Sequence, residues 1–285
     1  MNRYDELIDR FISWAETSCD VISIFIVGSR ARTDHPADDY SDLDLVIVVT
    51  DPEHFLKTDK WLKEIGSYWI SFSEKTVGGG VERRVVFENA LDVDFLLFSE
   101  ASFKQCIKQY EVQELFKRGN RVLLDKSGFA NVLPEISTKC ILYSPPTESE
   151  FLNLVNDFLY HSVWTVKKLL RGELWSAKSC VDCYMKGHLL RIIECHTHIL
   201  KGWDYDTWHN GRFLDMWAEQ KVKEGLQSVF AHYDINDIGH SLAATMDLFC
   251  LLAVEIADKM DFEYPNCADK NVNEWVKKSL SELSL

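Results

Sequence analysis

The 285-residue chain lacks the glycine-rich signatures of the common nucleotide folds: no Gly-x-x-x-x-Gly-Lys-Ser/Thr and no Gly-x-Gly-x-x-Gly occurs in it. Any phosphate it handles must be held by other means. Basic charge is also scarce, with 31 Lys and Arg against 45 Asp and Glu for a net charge of −14. No basic stripe appears, which argues against a long polyanion and makes nucleic acid a poor substrate. An acidic surface attracts small polycations instead, although acidity also serves solubility alone. No run is expected to approach a membrane span, and the start Met1-Asn2-Arg3-Tyr4-Asp5-Glu6 has neither the basic flank nor the apolar core of a signal peptide. A cytoplasmic protein without membrane association is therefore expected. Internal repeats and low-complexity segments are absent, and 46% hydrophobic residues suffice for one large or two modest cores.

What is present begins with two carboxylates, Asp42 and Asp44, opening the apolar, β-branched run Leu43 to Val49. Side chains i and i+2 of a strand share a face, so the pair lies side by side. Two such charges repel and are poorly hydrated, which raises one pKa or calls in a hard divalent cation with oxygen ligands, Mg2+ being the economical choice. Asp-x-Asp alone is weak, because Asp is common at strand starts and in turns. The order strengthens it: strand Val21 to Val27, then Gly28-Ser29-Arg30, a loop, the Asp42-Leu43-Asp44 strand, and later Asp92-Val93-Asp94 opening another apolar run. Asp92 and Asp94 share a face; Asp94 is taken for the site and Asp92 for solvent or loop. The Gly28-Ser29-Arg30 turn lets backbone N–H groups and a hydroxyl face an anion, with Arg30 and Arg32 as candidate cations.

Gly28-Ser29-Arg30, Ser41-Asp42-Leu43-Asp44 and Val93-Asp94-Phe95 together resemble the nucleotidyltransferase superfamily of DNA polymerase β type. The second half narrows this. Val163, Lys167-Lys168-Leu169-Leu170-Arg171-Gly172-Glu173-Leu174, Ala177-Lys178 with Asp182, and Leu189-Leu190-Arg191-Ile192-Ile193-Glu194 are similar to the helical half of the aminoglycoside 6-adenylyltransferases, the streptomycin-modifying enzymes. The resemblance implies ATP as co-substrate, Mg2+ on Asp42, Asp44 and Asp94, and transfer of AMP to an aminoglycoside, at the 6-hydroxyl for streptomycin. It places Lys178 at the nucleotide phosphates and Asp182 as the base for the acceptor hydroxyl. The residues alone leave Asp182 open as an ammonium ligand and Lys178 as its surface ion-pair partner. The triad is equally compatible with a lincosamide, another metabolite or a protein as acceptor. A non-catalytic nucleotide-binding regulatory module is the remaining alternative, and three mutually repelling carboxylates speak against it.

The expected fold is α+β: a nucleotidyltransferase domain over 1–143, with a mixed sheet flanked by helices, and an all-α helical bundle over 144–285. The coarse reading gives a helix over 2–18, strands 21–27 and 43–49, a helix 53–65, strands 67–72, 82–88 and 91–98, a helix 100–117 and a strand 121–124. Gly78-Gly79-Gly80 reads as a flexible turn, with a flap over the nucleotide as the lesser reading. Ser144-Pro145-Pro146-Thr147 breaks the chain, and Thr147 with Glu150 forms a capping-box pattern. Helices are expected at 148–171, 176–200, 210–219, 221–231, 237–260 and 269–283, and the acceptor between the two lobes. Of eight cysteines, Cys180 and Cys183 with Cys195-His196-x-His198 are the one cluster with metal-like spacing. Because the segment reads as helix, buried thiols in a reducing compartment are favoured over zinc. Trp175 and Trp203 are the first choices for stacking on a sugar. A monomer is the expected state.

Overall fold

The computed structural model describes residues 3–76, 80–137 and 143–283. The chain divides into two compact units, residues 1–139 and 140–285, four residues before the break expected at 143/144. Of the glycine loop, Gly78 and Gly79 lie outside the described residues, and the flap reading with them.

The first unit is a six-stranded sheet in the order β3-β4-β5-β2-β1-β6, formed by β1 (Val21–Val27), β2 (Leu43–Val49), β3 (Tyr68–Lys75), β4 (Val81–Phe87), β5 (Leu91–Ser99) and β6 (Arg121–Asp125). Only β2 and β5 run parallel; the other neighbours are antiparallel. Every residue of β1 is buried, which is why it reads as an unbroken apolar run rather than an alternation. Its one polar side chain, Ser23, donates to Asp125 at 2.8 Å, as a buried hydroxyl must. On one face of the sheet α1 (Asp5–Thr17), α2 (Pro52–Lys57) and α3 (Lys60–Ile65) pack Phe11 and Trp61 against Phe95. On the other, α4 (Glu100–Cys106) and α5 (Tyr110–Arg118) pack Phe103 and Phe116 against Phe25. Each such ring contributes about 2–3 kcal/mol by burial.

Two expected helices are each split. The 53–65 helix breaks at Thr58, whose backbone is extended, and Asp59 turns to accept from Tyr68 and Arg83. The 100–117 helix breaks before α5, where Gln109 is extended.

Among the described residues the second unit has helices and no strands: α6 (Glu148–Leu170), α7 (Leu174–Ser179), a π-helical turn Cys180–Tyr184, α8 (Met185–Lys201), α9 (Leu214–Trp217), α10 (Gln220–Leu226), α11 (Ile235–Met260) and α12 (Asn266–Leu283). The capping box forms at α6: the Thr147 hydroxyl accepts from the Glu150 N–H at 3.2 Å, and the Glu150 carboxylate accepts from the Thr147 N–H at 2.8 Å. The helix expected over 210–219 shrinks to one turn, because Asn210, Gly211 and Phe213 all take positive φ. Phe158 and Phe249 stack at the core with centroids 3.6 Å apart. The expectation that no run approaches a membrane span needs correction: α11 is long and apolar enough to qualify, with mean hydropathy 1.5. More than half of that stretch is buried, and Leu242, Met246, Phe249 and Leu252 lie in the helical core. A helix apolar on most of its faces is what such a central position requires.

Candidate functional site

Asp42 immediately precedes β2, Asp44 is its second residue, and the parallel register sets Asp44 beside Asp94 on β5. Carboxylate oxygens of all three lie within 4.8 Å of one another, and all three residues are half-buried. An all-oxygen set at this spacing has the chemistry of a hard divalent-cation site. Burial pushes the Asp94 carboxyl up to about 6; Asp42, Glu82 and Asp92 push the same way, and Arg84 opposes them. Asp92 shares the face of Asp94 by strand alternation but is engaged by Tyr4, the residue just before α1, whose hydroxyl donates to it at 3.0 Å. Burial and that bond push the Tyr4 hydroxyl up to about 12.

Gly28 opens the turn after β1 with φ +68°, and a Cβ there would collide with the Asp44 carboxylate. Only glycine permits both this backbone and this approach. The turn closes with the Ala31 and Arg32 N–H groups donating to the Gly28 carbonyl at 3.1 and 3.2 Å. Ser29 is buried, and its hydroxyl has no hydrogen-bond partner among the described residues. Such an orphan beside a carboxylate cluster is suited to a bound polar group. Arg30 bonds the protein itself: its guanidinium lies 3.8 Å from the Tyr4 ring centroid and donates to the Asp42 carbonyl at 2.9 Å and the Ser41 carbonyl at 2.5 Å. It thereby fixes the backbone that presents Asp42. Arg32 donates to the His35 carbonyl at 3.0 Å.

Sequence reasoning missed Arg84. On β4 it stands opposite Asp94 in the antiparallel register, with Nε 3.6 Å from Asp94 and 3.3 Å from Glu74, and it also bonds the buried Glu82. Glu82-x-Arg84 shows the i, i+2 alternation, but only the strand pairing reveals what it faces.

In the helical unit Asp182 sits within the π-helical turn, a local widening often found at functional sites. It pairs with Lys178, whose ammonium also donates to the Ala231 carbonyl at 2.5 Å. The second carboxylate oxygen of Asp182, Oδ1, is buried with no hydrogen-bond partner among the described residues. Lys186, one turn on, donates to Thr245 at 2.8 Å, and burial pushes its ammonium down to about 8. The cysteine and histidine cluster is dispersed: Cys183 is exposed, and His196 bonds Glu255 at 2.7 Å. Trp175 is 75% exposed, whereas Trp203 stacks on His198 with centroids 5.2 Å apart.

The model of the streptomycin adenylyltransferase family matches residues 1–279. The aminoglycoside 6-adenylyltransferase of Bacillus subtilis (strain 168) is 24% identical over 276 residues, covering 93% of this chain and 94% of that protein. Its namesake from Campylobacter jejuni is 26% identical over 280 residues, covering 96% and 94%. A crystal structure of an aminoglycoside 6-adenyltransferase from Bacillus subtilis aligns over 96% of this chain and 98% of that one, at 21% identity and a TM-score of 0.45.

Proposed function

The chain belongs to the streptomycin adenylyltransferase family, and on that premise we propose that it transfers AMP from ATP to a hydroxyl of an aminoglycoside, the 6-hydroxyl of streptomycin, releasing pyrophosphate. The observation that carries this reading is the convergence of Asp42, Asp44 and Asp94 directly behind the Gly28-Ser29 turn. The three carboxylates would hold Mg2+. A divalent cation bound there neutralises charge on the phosphates and the departing pyrophosphate. Gly28 keeps the backbone close to Asp44, and the buried Ser29 hydroxyl is available to donate to a phosphate oxygen. Arg30 holds the Asp42 loop through two backbone carbonyls. Arg84 offsets part of the repulsion at Asp94.

The acceptor oxygen attacks the α-phosphorus, the bond to the bridging oxygen of the β-phosphate breaks, and the acceptor proton passes to a base. We assign that base to Asp182, since its Oδ1 is buried and unpartnered among the described residues while Lys178 engages Oδ2. The acidic balance of the chain, −14, suits a polycationic acceptor.

Pyrophosphate release from ATP and Mg2+, with and without streptomycin, tests the reading. Release that requires both streptomycin and the metal is expected. Release unaffected by streptomycin, or none at all, would overturn the assigned acceptor.

A further inference from the structure

The helical unit contains a cavity of about 480 Å³ to which the chemistry above assigns no role. Its lining combines a carboxylate, Glu194 of α8, with the rings of Tyr143, His198, Trp203 and Trp208. The aromatic wall is built, not incidental. The Tyr143 hydroxyl donates to Asp206 at 2.8 Å, and the same carboxylate oxygen accepts the Trp208 backbone N–H at 2.9 Å. The Tyr143 N–H donates to the Trp203 carbonyl at 2.8 Å. His198 lies between the Tyr143 ring, 4.3 Å away by centroid, and Trp203 at 5.2 Å. Its ring nitrogens are occupied by the Gly202 carbonyl at 3.4 Å and the Thr207 hydroxyl at 3.3 Å.

Glu194 is half-buried and, among the described residues, makes no hydrogen bond or ion pair. Arg191, one turn earlier, favours its ionised form but is exposed and not in contact with it. A carboxylate desolvated beside aromatic faces and left without a partner is costly, and the group that satisfies it best is a cation able to lie against a π-face. An anion is disfavoured there, because Glu150 adds a second carboxylate kept ionised by its bonds from Thr147.

We infer that this cavity binds an organic cation, an alkylguanidinium or alkylammonium group, with Glu194 as its counter-charge and Trp203 and Trp208 as its aromatic walls. The inference deepens the aminoglycoside reading, on which it rests for the identity of the cation, and makes Glu194 a determinant of acceptor affinity.

The full chain is titrated calorimetrically, without ATP, with streptomycin and with agmatine, an alkylguanidinium that has no hydroxyl to be adenylylated. Glu194→Gln is expected to weaken binding of at least one of these cations tenfold or more while leaving the Kd for ATP within twofold. A pH series adds a readout that a purely structural role would not move. Burial pushes the Glu194 carboxyl up to about 7, so wild-type affinity should fall as the pH drops below that value. The other titratable groups at the cavity, Tyr143, Glu150, Arg191, Cys195, His198 and His209, are common to both proteins, so the difference between the two series isolates Glu194. Wild-type protein that binds neither cation, or a Gln variant that binds both as wild type does, overturns the inference. AMP transfer to streptomycin by the wild-type chain, with binding of both cations unchanged in Glu194→Gln, leaves the proposed function standing and removes this one. Glu194-dependent binding without any AMP transfer does the reverse.

Discussion

Gly28 is the position where the backbone and the site constrain each other most tightly. Its φ of +68° and the collision of any Cβ with the Asp44 carboxylate predict that Gly28→Ala displaces that carboxylate. Displacing a ligand by about 1 Å costs on the order of 100-fold in turnover; a variant within a few-fold of wild type in steady-state assays would show that the turn does not position Asp44. Asp94 supplies a second prediction. Its carboxyl is raised to about 6, so the negative charge is lost as pH falls through that value, well above the ordinary carboxylate range. Mg2+ affinity should therefore hold above pH 6 and fall by about tenfold per unit below it; calorimetric titration showing no loss at pH 5 would contradict the assignment. Asp42, Asp44 and Asp94 were legible in the sequence because alternation along a strand is a local rule. Arg84 was not, because its place opposite Asp94 depends on the register between β4 and β5, which sequence spacing does not contain. Arg30 was read as a cation for the phosphates, whereas its guanidinium takes the Ser41 and Asp42 carbonyls, partners that depend on how the intervening loop folds back.

At the scale of elements, strands were easier to read than helix ends. β1 and β2 form over the expected residues because each is an apolar run bounded by turn residues. The helices split where an extended residue, Thr58 or Gln109, interrupts a pattern whose periodicity continues across the break. The π-helical turn at Cys180–Tyr184 left no mark on the sequence either, since one residue of slippage in a helix scarcely alters a 3.6-residue period. The N-terminus of α6 shows the opposite case, a local signal that is fully expressed. The reciprocal bonds between Thr147 and Glu150 predict that Glu150→Ala lowers the stability of the helical unit, read as a lower midpoint of its urea transition. No shift would mean that packing of Phe151 and Val155 alone holds that helix end.

For the whole molecule, the family match over residues 1–279 spans both compact units, so the sheet with its carboxylate cluster and the helical bundle are inherited together. The acidic balance, which argued against a polyanion in the sequence, is consistent with a cationic acceptor, and the resemblance visible in short motifs extends along nearly the entire chain. The central claim is that the carboxylate cluster catalyses AMP transfer to streptomycin. The most direct test is the mass of streptomycin after incubation with ATP, Mg2+ and either the wild-type chain or Asp42→Asn, with circular dichroism to confirm that the variant is folded. The account predicts the added mass of one adenylyl group with wild type and none with the variant. Adenylylation by a folded Asp42→Asn protein at a rate within tenfold of wild type would contradict it.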